Sequence, residues 1–481
     1  MTKFGADQRR QLKRYDFPYF DGINTNVSNA LSKRSELSFL ENARSVLIGL
    51  LEKRAGHALW GDNISATFNY GLYDFVNNTH HLLRVSKVGS TISVYLYNGA
   101  TWIKLSGVAT GLSAGECDFA TALDRCFIVN GLDNNFYLEA NGTTAVDSSS
   151  STGMLYNAPK ARLINYFRDR LFLGDYFRID GTHERTGICF SSVPLGIVSL
   201  VSGDQTAPLT TVNVTDTKYI KVASANDSLD VYRGGTLIGT LTVTGKTENT
   251  LTVSSFAFDL KSSDELWIAG TRSGEKVYRW DNRATGTAVR QYDSFKNTSE
   301  EDLVLLTNVG NNQMIFTENS ISVFNGSYLK PLDLEIGCVS KKSFVKILGQ
   351  GLFLHSTGIY STTGGVPKLL SNKIQTIFDN ADIDSLREAC AASDGSSYFV
   401  YIGSIPFYNK DGSLKKLMKD VVIEYNLQQN NFFVHTDIPM SHFATFVGEE
   451  GRTLVFAKHG FPSPEVHDSV RVSESVTVTV S

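Results

Sequence analysis

A short pattern recurs along this chain, and it constrains the fold more than any single residue does. An alternating apolar and polar run leads into a Gly/Asn turn. A second run follows, and an aromatic-rich third run closes the unit. The clearest copy is Asp302–Leu332: LVLLTNV, a turn at Gly310-Asn311-Asn312, QMIFTE, SISVFN, a turn at Gly326-Ser327, then YLKPL. Alternation at period two makes each run a half-buried strand, and turns this short make neighbouring strands antiparallel. A sheet of three or four such strands cannot bury both faces alone, so it must stack on copies of itself, as the blades of a β-propeller do.

Further copies follow the same plan. LLRVSKV, a Gly-Ser turn and TISVYLYNGATWIKL form one series; CDFATAL, CFIVNG and NNFYLEANG form the next; ARLINYF, RLFLGDY and RTGICFSS form a third. They begin roughly 40–50 residues apart, the spacing of propeller blades. After Asp302–Leu332 come FVKILGQGLFLHSTGIYSTTGGVPKLLS, then ACAASDGSSYFVYIG with KDVVIEYNLQQNNFFVHTDI, and finally SHFATFVGEEGRTLVFAKHG. The last is a partial blade that one strand from the N-terminal region would complete. The fold class expected is therefore all-β: a six- or seven-bladed β-propeller with an inserted small β-domain and an irregular N-terminal segment.

The insertion is read from a break in the pattern. Residues 196–273 are rich in Thr and Val, carry Gly-Gly and Lys-Thr-Glu-Asn turns, and have room for five or six short strands in a barrel or sandwich. They divide the blades into a first part, 61–195, and a second, 274–460. Residues 1–60 form an N-terminal segment, in which the first part of SKRSELSFLENARSVLIGLLEKRAG, with Ser35 and Ser38 as possible helix starts, suits a short helix, while RSVLIGLLEKR equally suits a strand passing under the propeller. The tail, 461–481, alternates Val with Ser and Thr and is either a free arm or an added edge strand.

At 481 residues, 42% hydrophobic and 20% charged, the chain has the composition of a globular protein with a large core. A formal net charge of −4 gives no electrostatic footprint for wrapping duplex DNA. Five widely spaced cysteines without a Cys-x-x-Cys suggest buried thiols and a reducing site of synthesis. No stretch approaches a membrane-spanning length, and the basic N-terminus has no apolar signal core.

The sequence carries no convincing reaction chemistry. A glycoside-cleaving propeller would carry repeated Asp-box turns and paired carboxylates; Ser393-Asp394-Gly395-Ser396-Ser397-Tyr398 resembles one only in its Asp-Gly turn. Asp379, Asp382 and Asp384 lack the Gly and Glu of a calcium loop, and Asn380 or Asp382 instead suits the cap of a short helix ending near Glu388. His80, His81, His355 and His435 lack zinc spacing. Gly111-Leu112-Ser113-Ala114-Gly115 precedes a strand-like run where a nucleophile elbow needs a helix. The expectation is no enzyme: no catalytic, cofactor-binding or metal residue is assigned.

At Ile336-Gly337-Cys338-Val339-Ser340-Lys341-Lys342-Ser343, continuing through FVKILGQGLFLHSTGIYSTTGG to LLSNKIQ, the chain resembles the tail hub, nozzle or packaged-DNA stabilisation proteins of short-tailed bacteriophages. FDGINTNVSNALSKRSE…EKRAG is similar to the openings of such proteins, although Lys53-Arg54-Ala55-Gly56 lacks their proline. RDRLFLGDYFRIDGT…RTGICFSSVPLG resembles one of their blades. The likeness spans most of 17–450 but leaves out the insertion and the Val/Ser tail. It implies a virion structural protein, made in the host cytoplasm and resident in the tail. Its copies would form a sixfold ring closing the DNA exit, with a portal or adaptor on one side and tail fibres or spikes as further partners. Genomic DNA would pass through without sequence-specific binding. The alternative is a receptor- or glycan-binding tail propeller used in adsorption; a glycoside hydrolase ranks third.

Because a propeller satisfies its own strands, ring contacts are expected from its loops, edges and ends. The basic residues Arg9, Arg10, Lys13 and Arg14, with the aromatics Tyr15, Phe17, Tyr19 and Phe20, are the expected docking set. The competing reading places these aromatics in the propeller's own underside.

Overall fold

The computed structural model describes residues 23–25, 40–47, 50–53, 57–149, 154–155, 157–178, 180–191, 197–215, 226–247, 250–269, 280, 294–408, 413–448, 451–458 and 470–472. Their strands form seven four-stranded antiparallel sheets of propeller type. Blade one runs from Ala66–Val76 through His80–Val88 and Thr91–Tyr97 to Trp102–Lys104. The first strands of the next five blades are Asp118–Ala122, Ala161–Phe167, Leu305–Val309, Val345–Ile347 and Cys390–Ser393. Blade seven begins with His442–Gly448 and Gly451–Ala457.

Tight turns set the registers. In blade four Val309 faces Asn312 across a two-residue turn containing Gly310, whose φ of 59° suits glycine. Leu123-Asp124 and Arg168-Asp169 make the corresponding turns of blades two and three, all four residues at positive φ.

Each blade is apolar on both faces because both are covered. Leu83, Val85 and Val94 meet Cys126, Ile128 and Leu138 between blades one and two. Phe316 and Met314 meet Phe353 between blades four and five. Five further clusters fill the remaining blade interfaces and complete the ring. Burying such side chains contributes about 1.5–3 kcal/mol each, so the ring is held mainly by face-to-face blade packing.

Two blades carry excursions. Between the third and fourth strands of blade three lies a six-stranded sheet spanning Ile197 to Ile268. Its two outer strands are joined by Ser202 N to Asn213 O (2.9 Å) and Thr215 N to Leu200 O (3.0 Å), so it closes into a small barrel. That barrel has its own core, built on Val212, Leu229, Val231, Leu241, Val243 and Leu251. Blade six extends a hairpin, Ile405–Tyr408 with Leu414–Met418, between its second and third strands.

Both ends of the chain enter the ring. Val470–Val472 is the third strand of blade seven and His57–Leu59 is the fourth. RSVLIGLLEKR is extended, but as two strands and not one: Ala43–Leu47 and Leu50–Lys53 form a hairpin; the short helix expected ahead of it falls largely outside the described residues. Just ahead of the hairpin, Asn42 N donates to Val434 O, and Ile23 N donates to Phe432 O. Ile23 is buried between blades five and six. The helical content is small; Asp382 caps the short helix Ile383–Arg387, accepting from Ser385 N at 3.0 Å. All five cysteines are free and buried.

Candidate binding site in the axial channel

The first strands of the seven blades surround a central cavity of about 380 Å³. Its wall is braced from blade to blade. Tyr73 OH bonds to Thr121 Oγ1 at 3.0 Å, and Asp118 Oδ2 accepts from Ile164 N at 2.8 Å. Asn165 Nδ2 donates to Asn308 Oδ1 at 2.7 Å, and Thr445 Oγ1 donates to Ser393 O at 2.6 Å. Tyr73 and Phe119 stack with centroids 5.0 Å apart.

A charged cluster sits at one mouth. Glu116, in the loop ahead of blade two, lies 2.7 Å from His442 Nε2 at the start of blade seven. Lys342 Nζ donates to Ser441 O at 3.2 Å and Glu388 Oε2 at 3.4 Å, with Glu116 Oε1 at 3.9 Å. Burial acts to raise the Glu116 pKa, but His442 and the Lys342 and Lys341 charges outweigh it and hold the value down at about 2. Two residues on, Asp118 moves the other way: burial raises it, against the opposing charge of Lys341. Burial lowers the Lys346 ammonium. Two carboxylates two residues apart thus differ in proton affinity, while three lysines face the same cavity.

Beside this mouth a second cavity of about 420 Å³ is lined by Arg162, Asp175 and Arg387. Asp175 contacts His183 and lies 3.6 Å from Arg162, and His183 stacks on Phe177 at 4.2 Å. Arg387 is held by Glu318 and Asp384. At the outer side of blade six, Glu424 is fully buried between His435 Nε2 (2.9 Å) and Ser397 Oγ (3.2 Å). Ser397 contacts the carboxylate and not the imidazole, so this is a structural network and not a relay to a nucleophile.

The expected docking residues Arg9, Arg10, Lys13, Arg14, Tyr15, Phe17, Tyr19 and Phe20 all lie outside the described residues. Gly111–Gly115 is a loop leading into blade two, with Ser113 Oγ donating to Asp133 at 2.7 Å. Asp394 Oδ1 accepts from the Ser396 and Ser397 amides, an ordinary Asx turn. His355 and His435 each end a strand. The channel residues Glu116, Asp118 and His442 were not singled out from sequence. Lys341, Lys342 and Lys346 stood only within the phage-like run.

That run has a clear structural role. Ser340 Oγ donates to Ala389 O (2.7 Å), Ser343 Oγ to Ser340 O (2.7 Å) and Cys338 Sγ to Ser340 O (3.1 Å). Tyr398 OH donates to Ser343 O at 2.7 Å, and Cys338 N to Thr317 O at 2.9 Å. Gly337 is needed because a Cβ there would meet the backbone of Thr317, Glu318 and Asn319. The segment ties blades four, five and six together.

No protein-family model and no curated protein sequence matches the chain. Among solved structures, the phage phi92 endosialidase is similar over 96% of this chain and 76% of its own, at 9% identity and a TM-score of 0.35. A chain of a mitotic checkpoint complex is similar over 87% and 93%, at 8% identity and 0.39. YCF48 bound to a D1 peptide is similar over 89% and 98%, at 8% identity and 0.37. Likeness at this level carries no functional argument, and the propeller assignment rests on the seven sheets themselves.

Proposed function

We propose that this chain is a structural subunit of a phage tail, of the hub or nozzle type, whose copies form a ring around the DNA exit. One observation supports this reading above others. The residues that carry the phage-like resemblance, Gly337 to Ser343, are used as scaffold, cross-linking three blades through side-chain and backbone hydrogen bonds. The contacts with neighbours are then assigned to parts outside the blades, residues 1–20 and the barrel among them. Ile23 and Asn42 bond to the subunit's own blades, and the docking role is proposed for residues 1–20 ahead of them.

Electron microscopy of purified particles tests the reading. A ring of identical copies on the tail axis is expected; a peripheral position would overturn it. Deleting residues 1–20 should leave a folded subunit that fails to join the tail, whereas an unfolded product would return those aromatics to the core. A receptor- or glycan-binding tail protein is the second reading, favoured by the aromatic rings and lysines that meet in the channel.

A further inference from the structure

We propose that the axial channel is a binding site for a small oxyanion, a carboxylate- or phosphate-bearing molecule held by Lys341 and Lys346. Three lysines face this cavity against two carboxylates, and the partners are unevenly shared. Glu116 is taken by His442 and Lys342, and Asp118 by the Ile164 amide. Lys342 is taken in turn by Glu388 and the Ser441 carbonyl. Lys341 and Lys346 remain. Among the described residues, neither ammonium has a carboxylate within ion-pairing distance or a hydrogen-bond acceptor.

Their positions define the site. Lys341 lines both the cavity and the charged mouth, and Lys346 lines both the cavity and the opposite mouth. An anion between the mouths can therefore meet a lysine from either end. Lys346 is itself solvent-accessible within the channel, while the protein around it disfavours its charge; a bound anion would supply the missing counter-charge. The wall is preformed, since Asn165–Asn308 and Tyr73–Thr121 tie neighbouring blades, so little ordering opposes binding. A cavity of about 380 Å³ is at the small end of ligand pockets, which selects a small molecule and not a nucleic-acid duplex. The tyrosine and phenylalanine rings offer flat apolar surface beside the charges.

The inference is independent of where the protein sits in a virion, so particle microscopy and ligand titration can fail separately. The test is calorimetric titration of the full chain with citrate, inorganic phosphate and, as a neutral control, glucose. Saturable binding of at least one anion and none of glucose is expected, and the tighter anion assigns the carboxylate or the phosphate. Lys346→Met and Lys341→Met should each weaken that binding about tenfold or more, the effect of losing one charge-assisted hydrogen bond. Lys346→Arg should retain binding, as should Lys368→Met on the exposed outer strand of blade five, with circular dichroism confirming the fold of each. Absence of saturable binding up to about 10 mM anion would overturn the proposal. So would equal affinity in Lys346→Met and Lys368→Met.

Discussion

Glu116 Oε1 lies 2.7 Å from His442 Nε2, joining the loop ahead of blade two to the first strand of blade seven across blade one. The contact bridges residues 326 apart in sequence. With Lys342 reaching the same carboxylate, it ties three separate parts of the ring at one mouth of the channel.

This pairing makes an acid-dependent contribution to stability. The Glu116 value of about 2 lies below the ordinary 4.5, so the unfolded chain takes up the proton first as pH falls. The Glu116 part of the contribution is fully present above pH 4.5 and is lost as pH falls towards 2, while burial, opposed by Glu116, lowers the His442 value. Since the side chain is partly open to solvent, it amounts to the order of 1 kcal/mol. Urea midpoints of the wild type and Glu116→Gln, measured from about pH 6 downward, should converge through this window. A difference that stayed constant with pH would contradict the assignment.

Gly337→Ala should be among the costliest single-methyl changes in the chain. Its Cβ would lie 2.6 Å from Asn319 N and 2.5 Å from the Glu318 carbonyl carbon, and backbone cannot rotate aside. A loss of about 2–4 kcal/mol is expected from overpacking and backbone displacement. Gly365→Ala, with nothing within 4 Å, should be nearly neutral. Comparing the two by chemical unfolding checks the claim.

Tyr398→Phe removes one oxygen and keeps the ring. The hydroxyl donates to Ser343 O inside a buried interface, so the substitution leaves that carbonyl short of a partner. A cost of about 1–2 kcal/mol follows. If urea unfolding shows no change, the bond does not hold blade six to blade five.

The blades were legible in the sequence because their signals are local. Alternation such as Leu305, Thr307, Val309 and turns such as Gly310-Asn311 are read within a few residues. The channel was not legible, because each blade contributes only a few positions and no spacing connects Glu116, Lys346 and His442. The N-terminal run was ambiguous for a different reason. SVLIGLLEKR is apolar without a clear period, and its hairpin is settled by packing beside blade six. The tail left an arm and an edge strand equally open, since Val470–Val472 gains its partners from Phe456 and His57, both distant in sequence.

Truncation after Lys458 should open the ring. It removes the third strand of blade seven, leaving Gly451–Ala457 with a bare edge and His57–Leu59 without a partner. Melting should fall by at least about 3 °C, and light scattering should rise as the exposed edge pairs between molecules. A truncated chain that melted like the full one would show that this strand adds nothing to closure.

His57 is paired with Val472, so the chain enters one strand and leaves the other at the same end of an antiparallel pair. A pull applied between those two points meets the hydrogen bonds one after another, not all at once. The pair resists by unzipping, the weaker of the two loading geometries, and not by shear. Tension between those two points would therefore part blade seven first, leaving the other six sheets closed on their own strands.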